Sequence, residues 1–498
     1  MKKFTLSICC ILIMTSAIFG QYAEHALQVS NIFYGGSARS IGMSNAFGAI
    51  GGDFSTLSMN PAGLGVYKNN EVSFTPSIFN TRVFSEYYGT RNEEFDVKLN
   101  INNFGAVFAL PVSQIKDQIN YVQFGIGYNR LANFNNSFYL EGFNDQSTFT
   151  AYLAGLANTP IGGKILNPEY DFSQGPCYSI DELAAATWLI AYDEAFDMWK
   201  SDMYNDVTQS AYMISSGAID EMTISFGGNF GDKIYFGATL GIPFMSYRYD
   251  FNFSESDTQN IDTIFGSMSY SEYYTKSGVG VNGKFGVIFR PIPSLRFGAA
   301  VHTPTYYGNT REYSGSDLQS YFDPRAGFQD KYAYTVENVY DFTVTTPARL
   351  IGSASCVIGK LALISIDYEW ANHASNKLKM KDRTLAQTEN QSIKNYYGNQ
   401  HIVRAGAEIN LNKFFIRGGY GWYSSPYKTS NVNDGSINSW TCGIGYRAGF
   451  FGIDFAYQHT SQNMSYYVYN ASLYGQPSPV AHLNGKTNSY MITLSFRY

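Results

Sequence analysis

Outside its first twenty residues, this chain of 498 has no apolar run long enough for a membrane-spanning helix, which takes about 20 consecutive apolar residues. Charge is scarce: Asp, Glu, Lys and Arg make up 15%, with a formal net charge of −6. That acidic balance argues against a nucleic-acid partner. Cysteine is scarce too. Cys9 and Cys10 fall in the first twenty residues, and Cys177, Cys356 and Cys442 are far apart and odd in number. With no C-x-x-C spacing, a metal knuckle and a disulfide scaffold are both excluded. Those three read as single buried or lipid-facing thiols.

Catalytic signatures are also missing. There is no G-x-S-x-G, no paired-carboxylate signature and no nucleophile beside a base. The expectation is no enzyme and no cofactor, although barrel lipases with scattered catalytic residues leave no local signature. "GVGVNG", Gly278 to Gly283, matches G-x-G-x-x-G but begins a strand, "KFGVIF", where that fingerprint should open a helix. The histidines, His25, His302, His373, His401, His459 and His482, have no partner at ligand spacing. Structural roles are the plain reading of each; haemin binding is the alternative.

Residues 1–20 read as a secretory signal: Lys2 and Lys3, then "FTLSICCILIMTSAIF", then Gly20 before Gln21. The apolar run is short for a span, and no lipid-attachment pattern leads up to Cys9 or Cys10. The exported chain is then either soluble or a membrane β-barrel.

What is abundant favours the barrel. Tyr (41), Phe (37) and Gly (47) dominate, as interface girdles and tightly curved strands require. In "YMITLSFRY", Tyr490, Ile492, Leu494, Phe496 and Tyr498 alternate with Met491, Thr493, Ser495 and Arg497. The same period recurs at 234–242, 364–370, 403–410 and 451–458. There the polar positions include Asp367, Glu369, Arg404, Glu408 and Asp454, which suits a wet lumen better than a packed core.

Short connections at 113–118, 231–233, 291–294, 359–360, 412–413 and 448–449 alternate with long ones near 81–100, 132–218, 254–277, 311–332, 373–399, 425–435 and 464–486. Short periplasmic turns and long outer loops give about fourteen strands, an even number. The count requires 332–359 to be one strand bent at Pro347, which cannot donate to the ladder.

The loop 132–218 contains "SIDELAAATWLIAYDEAFDMWK". Ser179 and Glu182 form a capping box. Leu183, Trp188, Ala191, Tyr192, Ala195, Phe196 and Trp199 fall largely on one helical stripe. That stripe either packs on neighbouring loops or lines an apolar entry groove. As capture residues the candidates are Leu183, Trp188, Tyr192, Phe196 and Trp199.

A barrel this wide is not filled by its own side chains. The glycine-rich segment before the first strand, "GGSARSIGMSNAFGAIGGDFSTLSMNPAGLG" from Gly35 to Gly65, is placed to fold back inside. Asn60-Pro61 fixes a turn where it joins the wall. A flexible periplasmic tail is the alternative, but the segment lacks the charge and Pro/Ser bias of such tails. The division is therefore signal 1–20, plug 21–69 and barrel 70–498, an all-β transmembrane antiparallel barrel with a helical insertion in one outer loop.

The segment resembles the plug of the FadL/TodX family of outer-membrane transporters, including its Asn-Pro-Ala motif at Asn60, Pro61 and Ala62. "GVGVNGKFGVIFRPIPSLRFGAAVHTP" (278–304) and "HIVRAGAEINLNKFFIRGGYGWYSSP" (401–426) are similar to family strands, and the matches follow the family's order along the chain. The resemblance implies a fourteen-stranded barrel with an N-terminal hatch. It implies passive uptake of fatty acid-like or aromatic molecules: capture by outer loops, a lumenal pocket, and sideways exit through the wall. The implied partners are a hydrophobic small molecule and outer-membrane lipid, with the protein a monomer. Two other roles stay open: haemin binding, and a barrel that docks a secreted or surface protein, as distant relatives do in type IX secretion.

Overall fold

The computed structural model describes residues 21–113, 118–159, 165–173, 175–201, 203, 206–323, 327–428, 433–471 and 475–498. The expected signal, 1–20, and most of the expected turn at 113–118 lie outside the described residues. No described helix is long and apolar enough to cross a membrane.

Among the described residues, nineteen hydrogen-bonded segments form one sheet. They make fourteen wall strands, because four strands are interrupted. The strands are β1 Glu71–Tyr87, β2 Thr90–Pro111, β3 Ile119–Asn133 continued by Asn136–Asn144, β4 Val207–Phe230, β5 Ile234–Ser256, β6 Phe265–Ile292, and β7 Leu295–His302 continued by Tyr306–Phe322. Next come β8, in pieces Lys331–Tyr334, Asn338–Thr345 and Arg349–Ile358, and β9, Ala362–Asn372 continued by Lys377–Met380. β10 Asn399–Leu411, β11 Phe414–Tyr423, β12 Ile437–Ala448, β13 Phe451–Tyr467 and β14 Val480–Arg497 complete the wall. Neighbours are antiparallel, and β1 closes on β14 with Glu71 opposite Arg497. β8 is the single bent strand expected at 332–359. Its lower pieces meet across Thr346-Pro347-Ala348, and Thr346 bonds Thr305 in the parallel break of β7.

The wall is inside-out relative to a water-soluble sheet. On β5, Ile234, Phe236, Leu240 and Phe244 are exposed while Tyr235, Thr239 and Met245 are buried. Inward positions elsewhere carry Glu221, Asp367, Glu369, Arg404 and Asp454, all buried. The outward apolar run on β5 covers 234–244, and that on β6 covers 279–289. Each matches the roughly 9–11 residues a tilted strand needs to cross a bilayer. Above these runs the outward residues turn polar: Ser246, Arg248, Asp250, Asn252 and Ser254 on β5. The barrel therefore stands well clear of the apolar layer on the loop side.

That upper wall corrects the expected loops. β1 and β2 meet at a two-residue turn, Tyr88-Gly89, both with positive φ, where a long loop near 81–100 was expected. Strand likewise fills much of 254–277, 311–332 and 464–486. In 132–218, Asn136–Asn144 and Val207 onward belong to the wall, so the inserted loop is 145–206. Above the lipid the outward face turns polar and the inward face becomes the apolar one, as with Phe251 and Phe253 on β5, so the alternation that marks a membrane strand is inverted.

Candidate functional site

Residues 21–70 line the inside of the barrel. They form α1 Gln21–Ser30, an extended stretch, α2 Ala38–Ile41, and two 3-10 turns, Phe54–Ser58 and Pro61–Val66. The extended stretch bonds to β3 through Phe33 N to Leu131 O (3.0 Å) and Gly35 N to Arg130 O (2.9 Å). Asn60 caps the second turn. Its Oδ1 accepts from Ala62 N (3.1 Å), and its Nδ2 donates to Gly48 O (2.6 Å) and to Val287 O of β6 (3.4 Å). Asn60, Pro61 and Ala62 press on Gly237 and Gly286, where a Cβ would collide with them. Glycine in these wall strands is thus a matter of close approach.

Inward charges of the wall engage the same segment. Arg39 of α2 meets Glu408 at 3.3 Å, and Arg417 joins Glu408 (2.6 Å) to Asp454 (2.7 Å). Asp367 accepts from Gly48 N at 2.9 Å, and Glu221 accepts from Ser58 Oγ at 2.8 Å. Glu369 pairs with Arg404 at 2.8 Å and with Arg349, whose guanidinium also donates to Ser30 O. This network satisfies backbone groups that an irregular buried segment would otherwise leave unpaired.

Above α1 the burial of inward residues falls, which marks a less filled stretch of lumen. One apolar cluster forms a floor, with Tyr22, Leu27 and Val29 of α1 packed on Ile219, Met245 and Phe342. Another forms a roof, with Leu153, Leu156 and Leu183 packed on Val83, Tyr87 and Phe253. The roof comes from α3 Phe149–Ala157 and α4 Ile180–Ala186 of the inserted loop. Between floor and roof, the inward residues Phe79, Thr81, Tyr247, Tyr249, Glu272, Tyr274 and Tyr466 are only half-buried. Glu24 is exposed and Gln28 half-buried, although their α1 neighbours Ala23, His25, Ala26 and Leu27 are buried. Spaced i, i+4, Glu24 and Gln28 share the helix face that looks into this chamber.

The wall breaks at the chamber. β2 pairs with β3 from Pro111 up to Asn103, opposite Asn129. Above that point, among the described residues, Thr90–Ile101 pairs with β1 alone, and Asn136–Asn144 of β3 pairs with β4 alone. The turn-off is at Phe134-Asn135. Phe134 N donates to Gly217 O (3.0 Å), Ser215 Oγ donates to Phe134 O (2.8 Å), and the Phe134 ring meets Tyr247 edge-on at 5.5 Å. Gly217 takes φ +120°, a value L side chains rarely adopt. Arg130 and Asp220, 2.9 Å apart, hold the lower corner. Along the free edge, Phe95, Val97, Leu99 and Ile101 are 45–78% exposed, so apolar surface continues up β2 above the level where its neighbours turn polar.

No family model and no curated protein matches the chain. Solved structures do. The P. putida toluene transporter TodX aligns with TM-score 0.52 at 12% identity, covering 93% of this chain and 99% of its own. The Pseudomonas aeruginosa FadL homologue aligns with TM-score 0.54 at 11% identity, covering 93% and 98%. The Ralstonia pickettii toluene transporter TbuX aligns with TM-score 0.50 at 15% identity, covering 93% and 98%. The chain has the FadL/TodX fold.

In this FadL-type barrel the expected capture stripe is not one helix. α4 ends at Ala186: Thr187 Oγ1 turns back to Leu183 O (2.8 Å), Trp188 takes φ 60°, and Leu189 N caps Ala184 O (3.0 Å). A small hairpin follows, Ala191–Asp193 against Met198–Lys200, with Tyr192 opposite Trp199. Leu183 and Trp199 are buried, Tyr192 is half-buried, and Trp188 (50%) and Phe196 (68%) are exposed. The expected capping box is not formed. Ser179 makes no cap bond, and Glu182 accepts from Tyr178 N (2.6 Å). Helical periodicity misleads here because the left-handed turn at Trp188 redirects the chain. The chamber residues Glu24, Glu272, Tyr247, Tyr249 and Tyr274 escaped sequence reading. The one local signal is Tyr247 and Tyr249 at period two, which looks like any half-buried strand.

Proposed function

We propose that the protein is an outer-membrane channel that takes up small hydrophobic molecules by diffusion, with no cofactor. The observation that carries this reading is the chamber lying behind a break in the wall. A filled lumen would pass nothing, and an unbroken wall would offer no sideways route. The apolar edge Phe95 to Ile101 suits a ligand moving between lipid and chamber. Likeness of fold to two barrels described as toluene transporters points the same way. Trp188 and Phe196 stand as first contacts for a ligand leaving water, while Leu183, Tyr192 and Trp199 hold the loop that presents them. Residues 21–69 act as the hatch, anchored at Asn60, Pro61 and Ala62, with residues 1–20 directing export. The protein works as a monomer surrounded by outer-membrane lipid.

Docking of a secreted protein would call for a broad exposed apolar loop surface. Leu153, Leu156, Leu183 and Leu189 of the inserted loop are buried, and its exposed Ile165, Tyr170, Tyr178, Trp188 and Phe196 would be the contacts of such a partner. The test is uptake of radiolabelled toluene or naphthalene into liposomes carrying the mature barrel. Uptake faster than into empty liposomes is expected. Equal rates would sink the transport reading.

A further inference from the structure

The chamber is not lined by apolar and aromatic residues alone. Glu24 from α1 and Glu272 from β6 open into it. Glu389, from the helix α5 Arg383–Tyr396 in the loop after β9, reaches α1 and accepts from Ala23 N at 2.8 Å. Glu389 is fully buried, and its second oxygen, Oε1, has no hydrogen-bond partner. The one cation acting on Glu24, Glu272 and Glu389 is Lys276, already paired with Glu312 at 3.2 Å. Buried His25 adds no charge, since desolvation and Lys276 together hold its pKa well below the usual histidine value. Burial raises the Glu24 and Glu389 carboxyls, Glu389 to about 7, so near neutral pH the four carboxyl groups are only partly ionised; among the described residues they share a single ammonium.

Aromatic faces surround this excess of negative charge. Tyr249 stacks on Tyr274 with ring centroids 4.5 Å apart, Tyr247 lies 5.8 Å from Tyr274, and Tyr249 and Tyr466 share a hydroxyl contact of 3.2 Å. Glu24 is within electrostatic reach of Tyr247, Tyr274 and Tyr466. One of these rings already seats a cation: the Lys276 ammonium lies 4.4 Å from the Tyr274 centroid. Ring faces attract cations by their quadrupole, more strongly where water is scarce. No described group of His, Cys, Asp and Glu has metal-holding geometry, so the fitting cation is organic.

Resting on the uptake reading above, we propose that the chamber selects molecules that join an aromatic or other apolar body to a positively charged amine, and turns carboxylates away. The apolar body lies on the tyrosine faces. The ammonium takes its place between Glu24 and Glu272, supplying charge that Lys276 alone cannot. A carboxylate would add a further negative charge to a low-dielectric site that already holds too many.

Phenylpropylamine, phenylpropanol and phenylpropanoate share one skeleton and differ only in the end group. Calorimetric titration of the mature chain in micelles at neutral pH, corrected for empty micelles, should rank them amine, alcohol, carboxylate. The amine should bind about tenfold or more tighter than the carboxylate. In the double variant Glu24→Gln/Glu272→Gln, amine affinity should fall to that of the alcohol while the alcohol is unchanged. Heat-modifiability on gels identifies folded variant, and the ranking of the parent protein tests the proposal without it. A carboxylate that binds as tightly as the amine, or a variant that keeps the amine preference, overturns the charge selection alone. If the alcohol does not bind either, the chamber is no ligand site and the uptake reading falls with it.

Discussion

Asn60 of the inner segment and Gly286 of β6 approach so closely that a methyl group on the glycine would strike the asparagine carboxamide. The same carboxamide bonds Gly48 O and Val287 O, tying two parts of the inner segment and the wall together. Gly286→Val should push Asn60 off the wall and raise single-channel conductance, with the barrel still heat-modifiable. Asn60→Ala should do so more mildly, each lost bond being worth roughly 0.5–1.5 kcal/mol. Conductance at the parent level in both would mean that the anchor lies elsewhere.

The turn-off of β3 leans on Gly217. A side chain there would be strained by its φ of +120° and would meet the Ser246 carbonyl. Gly217→Val should cost about 1–3 kcal/mol, read as a lower urea midpoint for the folded barrel. A midpoint equal to that of the parent would show that the strand relaxes without needing glycine.

Burial pushes the Glu389 carboxyl up from 4.5 to about 7. A raised carboxyl pKa means that the α5–α1 contact binds a proton more tightly than the separated state does. The contact is thus fully stable below pH 4.5, weakens as pH rises, and levels off above about 7. Hydrogen exchange at the Ala23 amide should accelerate across that window, beyond its intrinsic pH trend. Glu389→Gln should flatten the excess. An excess that persists in the variant would assign the pH response to another group.

The inserted loop divides by burial. Leu183, fully buried in the roof, should cost roughly 2–5 kcal/mol as Leu183→Ala. Phe196→Ala, at an exposed ring beneath the Lys200 ammonium, should stay within about 0.5 kcal/mol of the parent. Phe196→Ala and Trp188→Ala should nonetheless slow tracer capture in the liposome assay. Unchanged capture in both would remove them from the entry route.

The membrane belt is legible because lipid and lumen impose opposite chemistry on alternate residues. Ile364, Ile366 and Tyr368 against Ser365, Asp367 and Glu369 read correctly from sequence, and their burial follows that pattern. Even the bend at Pro347 could be placed, since a missing N–H is a local property. Higher on the wall the pattern passes through a stretch with no strongly apolar face and then inverts, with Phe251 and Phe253 turned inward. Ser246 and Arg248 face outer water while Tyr247 faces an open chamber, so neither face is strongly apolar. The chamber itself has no local signature. Glu24, Glu272 and Glu389 meet only because an N-terminal helix, a wall strand and a loop helix converge.

The height of the wall break has a cost that its position avoids. Strand edges inside hydrocarbon carry amides and carbonyls that nothing can hydrate, at several kcal/mol each. Here β2 and β3 remain laddered through the apolar layer and part only above Asn103 and Asn129, beside the Arg130–Asp220 pair. The unladdered edge of β2 from Thr90 to Ile101, bridged at Asn100 by Arg130, thus begins where the outward face of β5 turns from apolar to polar and water can serve its backbone. A slit placed lower, for the sake of a shorter path into the acyl chains, would leave orphaned backbone in oil. A side route of the kind proposed would be compatible with a bilayer only in a barrel that stands taller than the membrane it crosses.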